Sequence, residues 1–175
     1  QYFARLPLKK SANIHHGNSL RTNWEDIISK NELSYILGNP PFIGKQLQNE
    51  EQKKDMELVF GSISNGNSTL DYVTAWYLKS AQYIKDTKIK VAFVSTNSIS
   101  QGEQVGILWN KLLNQYGIKI HFAHKTFKWS NEAKGNANVF CIIIGFANFD
   151  ITDKKLFDYE TPNSEPHEIK AKNIN

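Results

Sequence analysis

One cysteine, Cys141, stands among 175 residues. That excludes an internal disulfide framework and fits a reducing cytoplasm, where the protein is expected to work. No apolar run approaches the roughly 20 residues needed to cross a bilayer, so no membrane partner is expected. Residues 1–10 lack the basic-then-apolar order of a signal peptide and also lack an initiator methionine. The chain is therefore expected to begin inside a longer polypeptide. Histidines are few, five in all, and none clusters with carboxylates or the cysteine at metal-ligand spacing. His121 and His124 stand three apart in a candidate strand, which turns them to opposite sides. No metal is expected, and no internal repeat is visible.

What is present describes one globular core. Hydrophobic residues make up 40% and charged residues 22% of the chain, and 175 residues leave little room for two full domains. The net charge of +4 is unevenly spread: residues 150–175 hold six acidic and four basic side chains, and the first 149 hold 11 and 17. A mildly basic body is compatible with a phosphate-backbone partner, though many proteins that never touch nucleic acid share it.

The patterning alternates short strands with amphipathic helices, the signature of an α/β sheet. Strands are expected at 13–16, 33–38, 90–95, 118–123 and 139–146. Helices are expected around 49–59, at 70–84 and at 103–116 with Gly117 as a stop, and a short helix or turn at 24–29. Residues 61–69 have the composition of a mobile surface loop, and 126–138 are read as a polar loop. The last two strands of the body lack an intervening helix and are expected to pair antiparallel. The outcome is an open, mostly parallel sheet with one antiparallel strand near the edge. Ligands sit at the carboxyl ends of the strands in such sheets. Residues 150–175 read as a mixed-charge tail or linker.

The strongest local signal is Asn39-Pro40-Pro41-Phe42, directly after the run Tyr35-Ile36-Leu37-Gly38. An amino group conjugated to an aromatic ring is a poor nucleophile because its lone pair is delocalised. Two acceptors aimed at its two hydrogens pull it toward a pyramidal, more nucleophilic geometry. The Asn39 side-chain oxygen and the Pro40 carbonyl can supply that pair, and consecutive prolines stiffen the backbone in advance. Phe42 offers a flat face for a base. The plainer reading is a turn at a strand end followed by a core phenylalanine. Lys125, Phe127, Lys128 and Trp129 form an aromatic-plus-cation surface, unless Phe127 is a core plug. Asp71 reads more safely as a helix-start carboxylate than as a catalytic base. Residues 101–104 read as a helix start, and Lys53 and Lys54 as part of a solvated helix face. Cys141, inside an apolar strand without a basic partner, reads as core rather than as a nucleophile.

Asn-Pro-Pro-aromatic after an apolar strand resembles the catalytic motif of amino-methyltransferases acting on adenine. Three further segments widen the resemblance: Ile14-His15-His16-Gly17-Asn18-Ser19-Leu20-Arg21-Thr22-Asn23-Trp24, residues 91–105, and Phe122-Ala123-His124-Lys125-Thr126-Phe127-Lys128-Trp129. From about Leu6 to Phe149 the chain is similar to the methyltransferase region of MmeI-like (type IIL) restriction-modification proteins of the gamma motif order. That resemblance implies an incomplete Rossmann-like methyltransferase fold over 1–149, followed by a tail toward another domain. It implies S-adenosylmethionine as co-substrate, and double-stranded DNA and the rest of the same polypeptide as partners. Asn39 and Pro40 match the positions that bind the target amino group, Phe42 the stacking aromatic, and Phe127 the second aromatic against an extruded base. Asn18 matches the polar residue that reads the cofactor's adenine, where many relatives carry Asp. The glycine-rich turn and the ribose-binding acid are not in these 175 residues and are expected upstream, so the chain alone is expected to be inactive. Glutamine and cytosine amino-methylation, and a silent scaffold for DNA recognition, remain open on the sequence.

Overall fold

A computed structural model describes residues 12–61, 69–129 and 139–170. Six strands form one sheet in the order β1-β2-β4-β3-β5-β6. They are β1 (Tyr35–Gly38), β2 (Lys90–Thr96), β3 (Lys119–Trp129), β4 (Val139–Ala147), β5 (Lys155–Asp158) and β6 (His167–Ile169). β1 pairs parallel with β2, and β3 with β5; β4 runs antiparallel to both β2 and β3, and β6 antiparallel to β5. Four strands thus share one direction. The expected reversed strand is β4, but it lies between β2 and β3 rather than near an edge, and β6 adds a second.

Among the described residues, three α-helices connect these strands: α1 (Glu50–Phe60), α2 (Thr74–Tyr83) and α3 (Glu103–Asn110). Asn49 and Gln52 form a capping box that starts α1 at the position its pattern predicts. α3 does not stay regular to residue 116. It passes into a π turn over Lys111–Gln115 and ends before Gly117, whose φ is 64°. Lys53 and Lys54 pair with Glu50 and Glu51 on the exposed face of α1, as a solvated face should.

The core lies between the helices and one face of the sheet. β2 alternates, with Val91, Phe93 and Ser95 buried, and the β4 residues opposite them are Phe146, Ile144 and Ile142. Tyr77 of α2 stands over this row, fully buried, stacked on Phe146 at 5.6 Å and edge-on to Phe93 at 5.3 Å. Its hydroxyl is 2.6 Å from Ser95 Oγ, which satisfies both buried groups. Cys141 is fully buried, and burial pushes its thiol pKa up, consistent with an inert core position.

Three expectations need correction. Residues 13–16 form no strand; Ile14 is 86% exposed, and alternation without a neighbouring ladder does not hold a strand. The polar loop expected from residue 126 instead begins as strand: β3 continues to Trp129 because Phe127, Lys128 and Trp129 pair with Cys141, Phe140 and Val139. The tail is not wholly outside the sheet, since β5 and β6 both come from it. The loop expected to be mobile lies almost entirely at 62–68, outside the described residues.

Gly145 of β4 admits the Phe122 ring of β3 directly over its backbone, and a Cβ there would run into that ring. Gly145→Ala is therefore expected to push Phe122 off its site and lower stability by about 1–3 kcal/mol. Urea denaturation should show a lower midpoint with an unchanged slope. An unaltered midpoint would mean that Phe122 has an alternative seat without cost.

Candidate active site

β1 is a short apolar edge strand whose last residue, Gly38, pairs with Phe93. A Cβ on Gly38 would stand 3.0 Å from the Phe93 ring, so glycine lets that ring lie against the strand end. The chain then turns out through Asn39 and Pro40. Pro40 is buried and Asn39 exposed, and the Asn39 amide has no hydrogen-bond partner among the described residues. Phe42 follows, half-buried.

The exit of this loop is fastened to the segment before α2. Tyr72 N–H donates to the Ile43 carbonyl at 2.9 Å, Lys45 N–H donates to Asp71 Oδ1 at 3.0 Å, and Gln48 Nε2 donates to the Leu70 carbonyl at 2.9 Å. The other Asp71 oxygen accepts from Ser98 Oγ at 2.6 Å and Gln104 Nε2 at 3.0 Å, while Gln104 Oε1 accepts Asp71 N–H at 2.9 Å. Asp71 stands just before α2, where its backbone carbonyl accepts Thr74 N–H at 3.0 Å. Its carboxylate ties together the connections that follow β1 and β2. α3 starts at Glu103 as expected, and Gln104 in its first turn serves this tie.

Asn18 lies in a turn rather than at a strand end. Its Oδ1 accepts Leu20 N–H at 2.9 Å and its Nδ2 donates to Asp55 Oδ2 at 2.8 Å. Asp55, on α1 and 2% exposed, also accepts from Arg21 Nε at 2.6 Å and the Tyr72 hydroxyl at 2.7 Å. Burial alone would push the Asp55 carboxyl pKa up. The donors Tyr72, Arg21 and Asn18 together outweigh it and hold the group below the usual carboxylate range. From α2, the Lys79 ammonium donates to the carbonyls of Ser19, Leu20 and Thr22 at 2.6–2.8 Å and lies over the Trp24 ring at 5.2 Å. Trp76 Nε1 donates to Ser19 Oγ at 3.0 Å. The turn is therefore held from two helices.

These pieces meet in one cleft of about 620 Å³, lined among others by Asn18, Trp24, Asn39, Pro40, Trp76 and Phe93. Flat aromatic walls beside two amides suit a planar, partly polar group such as a purine, and the volume is that of a small-molecule site. Asn18, Trp24 and Trp76 are the residues that would hold such a group, and Asn39 and Pro40 line the same cleft.

Phe127 is not in this cleft. β3 runs parallel to β1, so the two residues share the carboxyl end of the sheet. Phe127 pairs with Cys141, and Cys141 with Thr96, in a row three residues beyond Phe93. The Phe127 ring stacks on Tyr159 at 5.3 Å and tilts against Trp129 at 6.2 Å.

Asp55, Lys79 and Tyr159 escaped the sequence reading. Asp55 left a signal: positions 55, 56, 59 and 60 form the buried stripe of α1, and an acid on such a stripe needs partners. Lys79 and Tyr159 left none, since only the folded turns bring their partners to them.

Residues 1–158 match the family described as MmeI, DNA-methyltransferase domain. DNA methyltransferase A of Bacillus subtilis (strain 168) is 45% identical over 176 residues, covering 97% of this chain and 20% of that protein. The type IIL restriction-modification enzyme MmeI, solved in complex with DNA, is 52% identical with a TM-score of 0.91, covering 99% of this chain and 23% of that one. A modification subunit of a putative type I restriction enzyme from Vibrio vulnificus YJ016 superposes over 85% of this chain and 30% of its own with a TM-score of 0.55; at 14% identity it shares the fold alone. The chain spans about a fifth of the first two relatives. It belongs to the MmeI DNA-methyltransferase domain family.

Proposed function

We propose that this chain forms the target-amino side of an S-adenosylmethionine-dependent DNA methyltransferase, which methylates the exocyclic amino group of an adenine swung out of the duplex. The observation that carries this reading is the Asn39 amide, exposed and unpartnered among the described residues, on the same cleft as Asn18. Asn39 Oδ1 and the Pro40 carbonyl accept the two amino hydrogens and localise the nitrogen lone pair. Because buried Pro40 and the Asp71 tie hold the loop, the acceptors need no reorganisation when charge develops. When bound, S-adenosylmethionine supplies a methyl group on a positively charged sulfur. Trp24, Trp76 and Asn18, which line the cleft, would hold its adenine.

The proposal extends to the work of the whole protein: site-specific adenine methylation of double-stranded DNA in the cytoplasm, in the manner of restriction-modification. The 175 residues alone hold one side of the donor site, with Leu37 of β1 75% exposed. They are proposed to transfer no methyl group by themselves. The decisive experiment incubates the complete gene product with radiolabelled methyl donor and DNA, then resolves the labelled nucleosides. N6-methyladenine is expected. Label in cytosine or in protein glutamine would replace adenine as acceptor, and no transfer at all would leave a scaffold.

Phe127→Ala is expected to weaken capture of the extruded adenine by roughly 1–3 kcal/mol, the usual worth of base–aromatic stacking. A 2-aminopurine at the target position, fluorescent when unstacked, reports this directly. Capture equal to that of the parent would reduce Phe127 to a packing residue.

A further inference from the structure

Phe127 follows directly on one of the two irregularities of its strand. The β3–β4 register slips between His124 and Phe127, so two β3 residues are left outside the ladder just before it. A bulge re-aims the side chains that follow it and loosens the local pairing. The ladder with β4 alone therefore does not fix the direction of the Phe127 ring.

A second support comes from the segment after β5. Tyr159 stacks on one face of Phe127 with ring centroids 5.3 Å apart and planes at 29°. The Tyr159 hydroxyl and His124 Nδ1 form a 2.8 Å hydrogen bond, and the His124 ring stacks on Phe157 at 4.5 Å and 15°. The backbone is fastened on both sides of Tyr159. Before it, Phe157 pairs with His124, and the Asp158 carboxylate pairs with Lys125 Nζ at 2.6 Å while accepting Tyr159 N–H at 2.9 Å. After it, the Pro162 carbonyl accepts Lys128 N–H at 2.7 Å. These anchors bracket the bulge, engaging β3 at His124, Lys125 and Lys128.

We infer that Tyr159 is a positioning residue for Phe127, fixing its ring as the wall against which the extruded adenine stacks. The inference rests on the reading of Phe127 given above and adds the residue that makes that wall rigid. Tyr159 touches neither base nor methyl donor; it acts through Phe127, and the hydrogen bond to His124 holds it in place.

A double-mutant cycle tests this in the complete gene product. Parent, Phe127→Ala, Tyr159→Leu and the double variant are compared for 2-aminopurine fluorescence at the target position, with binding of S-adenosylhomocysteine as a readout of the donor cleft. Tyr159→Leu is expected to lower base capture about tenfold, in the range of a lost stacking contact, with donor binding unmoved. The double variant should be no worse than Phe127→Ala alone. Tyr159→Phe keeps the ring and is expected to stay within about threefold of the parent, as suits loss of one neutral hydrogen bond. Full capture by Tyr159→Leu beside a defective Phe127→Ala would overturn the inference while sparing the role of Phe127. Additive losses would also overturn it, since they make the two rings independent. Normal capture by Phe127→Ala would end both readings. Should Tyr159→Leu fail to fold, Tyr159→Phe still decides: a loss as large as that of Phe127→Ala would place the effect in the hydroxyl and refute the stacking support.

Discussion

Asn39→Ala is expected to lower methyl transfer a hundredfold or more while leaving the fold intact. Removing one of two preorganised acceptors at the site of developing charge costs on the order of 3–4 kcal/mol in the transition state. The same side chain is exposed and makes no hydrogen bond among the described residues. Its loss should therefore change stability by no more than about 0.5 kcal/mol, as for an ordinary surface position. The separation of these two effects is what marks a residue kept for chemistry. The deficit should appear in kcat, with the KM values for DNA and methyl donor little changed, because the acceptors act on a nitrogen that is already bound. Single-turnover transfer and thermal denaturation of the same preparation check both halves. A well-folded Asn39→Ala protein that still methylates at near the parent rate would remove Asn39 from the mechanism.

The site was legible where chain-local chemistry dictates it. An apolar run broken by two prolines must end a strand there, and the structure ends β1 at Gly38. β2 and β4 announced themselves as short apolar runs. Pairing order was not legible. Nothing in the residues of β4 says that it inserts between β2 and β3, because that choice depends on which faces remain to be covered once the helices are in place. β3 was read six residues too short because its far half, Lys125–Trp129 in sequence, is polar and bulged, and only its partners on β4 make it a strand. β5 and β6 have four and three residues, and mixed charge hides their alternation. Asp71 shows the same limit. Its place just before α2 was legible, but its carboxylate's partners Lys45, Ser98 and Gln104 come from segments 26 to 33 positions away.

Asp55→Ala is expected to be the most destabilising single change near the cleft, by about 2–4 kcal/mol. Three donors lose an ionised acceptor, and hydrogen bonds to charged groups are worth roughly 1.5–3 kcal/mol each. The sum is not reached because Arg21, 46% exposed, turns back to water and keeps Glu51 at 2.6 Å. Tyr72, only 5% exposed, has no such escape, and its hydroxyl is left as a buried donor without an acceptor. For a chain of this size, about 3 kcal/mol lowers Tm by roughly 6–12 °C. The effect depends on pH with a definite sign. The folded-state pKa of Asp55 is depressed below its unfolded value of about 3.9, so its contribution is fully present above that value. It is lost as pH falls through the folded pKa. The Tm gap between parent and Asp55→Ala should accordingly be constant from about pH 7 to pH 5 and close below about pH 4. The variant should also bind S-adenosylhomocysteine more weakly, because Asn18 loses the partner that holds its amide. A Tm gap that persists undiminished at about pH 2 would show that Asp55 contributes through packing rather than through its charge.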